Sequence, residues 1–477
     1  MHTNRLQRCL LAFAGCSLLL LAAACGSTSP PTPVHSANGS ATVTSSTTAG
    51  STPTPSGKPG TPSSGGTSTL PMPPTQTSCP QPPIESGRAA VMRPLALGSH
   101  PSIAYIFNEG TVDNASFAEL KRYDVTTGSK TVIVHLPKAN IAEAQVSADG
   151  QWLLFVSNMP QAAPTAGDSE LQLVRMDGQG LQTLFCAPFL SIRGVQWSPD
   201  EKVVVFSILA IPGGLWVYLL NLASGTVQRE LSSTDASYSY QARTWPDNTR
   251  VYVVGVPLNT PSLEESLYLL DTGKGPEQHQ QDLQQVFQPT QSSYCWDFDS
   301  DYETTRLVTS SCTVSFPPGS TDRGIQQGPS SITVESITGG SAHTTFTTPT
   351  LAITQVRLLG YKSSKLLLLM ENQNFGASVS VDTSQNGLWK MNTDGSGLTR
   401  LTTESAGDES NFNQFTQYPW SNVSVDGSLY ALQVTDIQSK NPITNLVFGS
   451  LDGGHTTTFA FANVNAGTVE VAGWTMM

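Results

Sequence analysis

The sequence predicts an all-β fold built from one repeated unit, and two families of turns carry that prediction. In the first family an apolar run enters a Ser/Pro/Asp/Gly turn and leaves as a second apolar run. Val195-Gln196-Trp197-Ser198-Pro199-Asp200 leads into residues 203–207, Ser147-Ala148-Asp149-Gly150 into 152–157, Trp245-Pro246-Asp247-Asn248 into 251–254, and Ser424-Val425-Asp426-Gly427 into 429–434. Each reads as two antiparallel strands joined by a turn, because Gly reaches positive φ and Asp and Ser bond their own backbone. The self-similarity, at about 40 to 60 residues, is that of stacked units that bury their faces only against their neighbours. Such a stack is a β-propeller.

The second family sets the number of blades. Asp124 to Gly128, Met176-Asp177-Gly178, Asn221 to Gly225, Asp271-Thr272-Gly273, Ile337-Thr338-Gly339-Gly340, Asn392-Thr393-Asp394-Gly395 and Leu451-Asp452-Gly453 each follow one strand and precede another. They read as hairpins between the two outer strands of a blade, so their number predicts seven blades, with six and eight as alternatives. The first blade shows three strands, around 103–107, 119–124 and 130–136, and no innermost strand before them. At the other end, 468–477 is a lone strand whose Val471-Ala472-Gly473-Trp474 resembles the run into Trp197. The two ends are therefore expected to close one blade together.

The run Leu388-Trp389-Lys390-Met391-Asn392-Thr393-Asp394-Gly395-Ser396-Gly397-Leu398-Thr399-Arg400-Leu401-Thr402, taken with the Ser-Pro-Asp turns, resembles the repeat of TolB-type propellers, a WD-repeat-like family. The likeness covers roughly residues 100–477 and is weakest in the blade from 294 to 346, which carries a long inserted loop. A count of seven departs from the six blades of TolB, so the resemblance supports the repeat. It implies a protein or ligand binder and brings no catalytic residue set.

Residues 1–24 carry Arg5 and Arg8, an apolar run over 9–21 and Ala22-Ala23-Ala24, the pattern of a signal peptide. Cys25 follows at once, as in a bacterial lipobox, although the usual Leu stands one position early at Leu21. The expectation is acylation of Cys25 and a lipid anchor on the outer face of the cytoplasmic membrane or on the cell surface; a plain secretory signal cleaved near Ala24 is the alternative. Within 25–78 the residues after Cys25 are nearly all Ser, Thr, Pro, Gly and Ala, with Lys58 the only one charged at neutral pH. Such a segment buries too little apolar surface to offset its ordering entropy and reads as a disordered tether with a reach on the order of 40 Å, or as a glycosylated stalk. Residues 79–99 lead into the propeller, and no later apolar stretch is long enough for a membrane span.

A net charge of −12 with only 13% charged residues argues against nucleic acid as a partner, and no clustered basic stretch is visible in the sequence. Cys79, Cys186, Cys295 and Cys312 remain after the anchor, an even number suited to an oxidising compartment. Cys295 and Cys312 fall on neighbouring strands, so they are expected to pair, leaving Cys79 with Cys186; free thiols are the alternative. None has zinc-ligand spacing. The chain lacks Gly-x-Ser-x-Gly, His-Glu-x-x-His and a P-loop, His100, His135, His279, His343 and His455 are scattered singly, and no cofactor is expected. Asp297, Asp299 and Asp301 alternate as at the start of a calcium loop, but Tyr302 and Val308 stand where an EF-hand needs Gly and Glu, and Asp301 reads equally as a turn aspartate.

In a propeller, the connections between the second and third strands and those between blades emerge on one face, here the loop face. The remaining turns emerge on the other, the turn face. The long segments 158–169, 256–266, 273–292, 316–330, 371–386 and 404–417 are all expected on the loop face. Phe375, Phe412, Phe415, Tyr418 and Tyr240 lie in or beside them and are candidate anchors for a ligand. Two functions follow: a propeller that binds a protein, peptide or glycan through this face, or an extracytoplasmic glycan hydrolase or lyase using paired carboxylates at the channel mouth.

Overall fold

The computed structural model describes residues 71–80, 86–111, 114–159, 169–187, 191–209, 214–233, 237–258, 265–289, 295–300, 306–316, 324–336, 342–359, 364–375, 380–404, 408–411, 422–437 and 439–477. They form seven antiparallel sheets of four strands in order from the axis outwards, and in blade five Gln373–Asn374 adds a fifth strand beside Ile325–Ser336. Blade one is Gly467–Met476, Pro101–Thr111, Asn114–Asp124 and Lys130–Pro137. Blade two is Asn140–Val146, Trp152–Asn158, Ser169–Arg175 and Gln182–Ala187; blade three is Ile192–Trp197, Val203–Leu209, Leu215–Asn221 and Val227–Leu231. Blade four is Tyr238–Ala242, Arg250–Pro257, Ser266–Asp271 and Gln284–Phe287; blade five is Cys295–Ser300, Arg306–Ser315, Ile325–Ser336 and His343–Thr348. Blade six is Ile353–Leu358, Lys365–Met370, Gly387–Asn392 and Thr399–Arg400; blade seven is Asp408–Asn411, Leu429–Asp436, Ile443–Ser450 and Thr457–Asn463. The fold is a seven-bladed β-propeller closed by its C-terminal strand, which pairs with Pro101–Thr111 from Pro101 opposite Met476 to Glu109 opposite Gly467.

The repeated turns recur in atomic detail. Ser147 Oγ donates to Asp149 and accepts from Trp152 N, Ser198 Oγ donates to Asp200 and accepts from Val203 N, and Ser424 Oγ donates to Asp426 and accepts from Leu429 N. The serine thus satisfies the first amide of the returning strand, and the aspartate orients the serine. Gly150 and Gly427 turn the chain at φ +73° and +68°. In blade three that place belongs to Glu201 at φ +57°, a conformation costly for a side-chain-bearing residue. Its carboxylate accepts from Asp149 N at 2.9 Å, and so joins the turns of blades two and three.

Between blades the core is apolar. Trp152, Leu154, Phe185, Val195, Trp197 and Phe206 pack together between blades two and three, and Trp197 is 1% exposed. Burying one such side chain contributes about 1.5–3 kcal/mol. Residues 86–98 cross the turn-face ends of blades three, two and one, while Gln76 makes a parallel bridge to Gln182 on the outer edge of blade two.

Two expectations about the loops change. Strand Gln284–Phe287 divides the segment 273–292, so its first half, with the short helical turns Thr272–Lys274 and Gln280–Asp282, belongs to the turn face. There Leu231 on the outer edge of blade three makes a parallel bridge to Gln278. The segment 404–417 is not simply an inter-blade loop. Asp408–Asn411 pairs with Gln433 to Asp436, and Val423 bridges Tyr430 on the same strand, so both stretches flank one edge.

Candidate functional site

Side chains on or beside the two inner strands of one blade take up backbone groups on the innermost strand of the following blade. Asn108 of blade one donates to Ile141 O and accepts from Ile141 N, a two-bond clasp on blade two. Glu143 of blade two accepts from Gly194 N and Val195 N of blade three, both at 3.1 Å. Ser207 of blade three accepts from Ala242 N of blade four. On blade five, Asp297 Oδ2 accepts from Val356 N at 3.0 Å and from Arg357 Nη1 at 2.5 Å, while Asp299 Oδ2 accepts from Leu358 N at 2.7 Å. Glu371, at the loop-face end of blade six, accepts from Ser410 N of blade seven at 2.9 Å. Strand period two places Asp297 and Asp299 on one side, towards blade six, which is why alternate carboxylates recur here.

Burial sets the protonation of these groups. It raises the Glu143 carboxyl, against the pull of Arg193, of the two amides it accepts from and of Arg243. It pushes Asp299 up to about 6, opposed by Arg357 and by the amides of Leu358 and Ser300. Glu201 is pushed up to about 7 by burial and by the neighbouring Asp149. On the loop face Glu404 lies beside Glu371; burial raises it, while hydrogen bonds with Ser410 and Glu371 pull it back. The Ser410 hydroxyl donates to Glu404 Oε1, so one serine holds Glu404 through its side chain and Glu371 through its backbone.

The candidate anchors separate into two groups. Phe375 is 5% exposed, beside Gln373–Asn374, which pair with Ile325 and Gln326 of blade five; Phe375 N donates to Gly324 O. Tyr240 is 1% exposed in the core between blades three and four and stacks on Tyr238 at 5.8 Å. Both are packing residues, because aromatic side chains near loops serve the core as readily as a ligand. Phe412, Phe415 and Tyr418 lie outside the described residues, as do Cys25 and Asp301. Sequence reasoning missed Glu371, Glu404 and Ser410, whose only signal was their position at blade boundaries.

Cys79 is bonded to Cys186 and Cys295 to Cys312, with Cα separations of 5.7 and 5.1 Å. Among the described residues the one trio of candidate metal ligands within 4.8 Å of one another is Cys79, Glu170 and Cys186, and its two sulfurs are spent on each other. Asp297 and Asp299 are engaged by blade six, as described above. A shallow crevice of about 320 Å³ runs between the outer edges of blades six and seven, lined by Arg400, Thr402 and His455.

No protein-family model matches the chain, and no curated protein matches its sequence. Among solved structures it is similar to TolB from Acinetobacter baumannii, at 14% identity and a TM-score of 0.38, with 62% of each chain covered, less than two thirds of the TolB chain. It is similar to the β-propeller domain of the Trilobed protease from Pyrococcus furiosus, at 12% identity and a TM-score of 0.46 over 79% of this chain and 98% of that one. It is also similar to the periplasmic gluconolactonase PpgL of Pseudomonas aeruginosa, at 12% identity and a TM-score of 0.43 over 78% and 99%. The chain is a seven-bladed β-propeller by its own strand pairing, with TolB proteins among its structural neighbours.

Proposed function

We propose that this chain is an exported, membrane-tethered propeller that holds a protein, peptide or glycan on its loop face, anchored through acylated Cys25 outside the cytoplasmic membrane. The observation that carries the reading is the division of labour between the faces. Residues 86–98 lie across the turn-face ends of blades one to three, and residue 72 enters beside Gly180 in a turn on that face. The loop face lies on the far side from this entry and bears the long connections, where binding surfaces of repeat proteins are commonly built. Two disulfides suit an oxidising compartment. The hydrolase or lyase reading finds weaker support, because Glu371 is fully buried and already accepts from Ser410 N and Gln373 Nε2.

Bulky maleimides on single introduced thiols test the face. Asp382→Cys and Asp436→Cys are exposed loop-face positions; Asp394→Cys and Asp452→Cys are exposed turn-face positions. Label on either loop-face thiol is expected to reduce retention of cell-envelope protein or glycan at least about tenfold, the equivalent of 1.4 kcal/mol, and label on the turn face to leave it unchanged. Retention lost only on turn-face labelling overturns the assignment.

A further inference from the structure

The lead-in is built as two legs held by one residue. Along the first leg, Gln76 N donates to Leu181 O and Thr183 N donates to Gln76 O, which adds a short parallel strand to the outer edge of blade two. The second leg donates from Gly87 N to Gly225 O, Arg88 N to Leu184 O and Ala90 N to Leu222 O. It continues from Val91 N to Gln182 Oε1 and Leu95 N to Gln151 Oε1, and ends with Gly98 N on Met476 O, at the ring-closing strand. Arg88 clamps the legs together: Nη1 donates to Gln76 O and Thr183 O, and Nη2 donates to Ser78 O and Ser78 Oγ. The Cys79–Cys186 bond fastens the end of the first leg to the outermost strand of blade two.

This arrangement fixes where a pull on the tether is felt. A force applied ahead of residue 71 travels along the chain to Cys79, where a covalent bond leads into blade two. Beyond Cys79 the backbone continues through 80–98 to blade one, whose Pro101–Thr111 pairs with the closing strand. We infer that the Cys79–Cys186 bond is a mechanical fastener: it diverts tension arriving through the tether into blade two, and shields the hydrogen-bonded second leg and the ring-closing blade behind it. The need for such a device rests on the tethered, ligand-holding reading, since an anchored protein gripping a partner on its far face is stretched between the two. The mechanical claim itself concerns only the folded chain.

Single-molecule stretching tests it, with one handle fused ahead of Gly26 and the other after Met477. With the bond closed, the strap can release only residues 71–79, about 30 Å of contour at 3.3–3.6 Å per residue. In Cys79→Ser/Cys186→Ser, release is expected to run on to residue 98, an early step of about 95 Å on the same scale. The unmutated chain, stretched before and after addition of a dithiol, provides a second measurement that does not depend on how the variant folds. A long early step with the bond closed, or its absence in both bond-free preparations, overturns the inference. Lipidation is judged separately: incorporation of a palmitate analogue that persists in Cys25→Ser defeats the anchor and leaves the stretching result standing.

Discussion

Two junctions of the ring hold neighbouring blades by different means. Where blade seven meets blade one, Phe459 lies edge-on to Tyr105 at 5.5 Å and stacks on Tyr123 at 5.1 Å, with Phe448 at 5.9 Å from Tyr123. Trp474, Val471 and Val469 of the closing strand complete this cluster. Where blade five meets blade six there is also an apolar core, with Ile332, Ile353 and Val356, but the axis side is fastened by Asp297 and Asp299. The first junction rests on area and ring geometry, which change little with proton concentration. The second adds buried carboxylates, whose contribution depends on their charge and on the partners left behind when one is removed.

The largest contrast is expected from the closing strand. Deleting 467–477 removes Trp474, which is fully buried, and exposes the edge of Pro101–Thr111. Aggregation, or a thermal transition lower by at least about 10 °C, is expected, since one lost core Trp alone costs about 3–5 kcal/mol. An unchanged transition in scanning calorimetry would show that the ring does not depend on this strand.

Asp297→Ala should cost less, about 3 kcal/mol, because it leaves Arg357, 7% exposed, beside an amide without its acceptor. Asp297→Asn keeps an acceptor for Val356 N and should recover part of the loss. Equal urea midpoints for the wild type and the Ala variant would contradict the clasp.

The smallest effect separates the junctions by pH. The Asp299 carboxyl is raised to about 6, so the folded state binds its proton more tightly than the unfolded chain does. Its contribution is therefore complete at the acid end, below the ordinary aspartate range, and is lost as pH rises through about 6. From pH 4.5 to 7 the wild type should lose about 2–4 °C that Asp299→Asn does not lose. Parallel melting curves for the two proteins would remove Asp299 as the source; Phe459→Ala should shift both ends of the range alike.

What the sequence made legible was whatever local chemistry dictates. The Asp/Gly turns show because positive φ and side-chain capping are local requirements. The closure shows because the first blade lacked an inner strand while 468–477 lacked a partner. Gln284–Phe287 is half exposed and has no alternation of apolar residues, so its strand is imposed by pairing with Leu267 to Leu269. Asp408–Asn411 reads Asp-Glu-Ser-Asn, a poor strand former, and is extended because it lies along Leu429–Asp436. The burial of Phe375 and Tyr240, and the turning of Asp297 and Asp299 towards the next blade, depend on neighbours far away in the chain.

The closure also governs the order of events during synthesis. The side chain of Asn108 donates to Thr468 Oγ1, 360 residues downstream. Bringing such distant segments together costs about 2 kcal/mol more in chain entropy than closing a segment of about 40 residues. A nascent chain can assemble blades two to seven as each emerges, since their strands are contiguous in sequence. Blade one must wait until residues 467–476 have emerged, and the edge of Pro101–Thr111 stays open to wrong partners in the meantime.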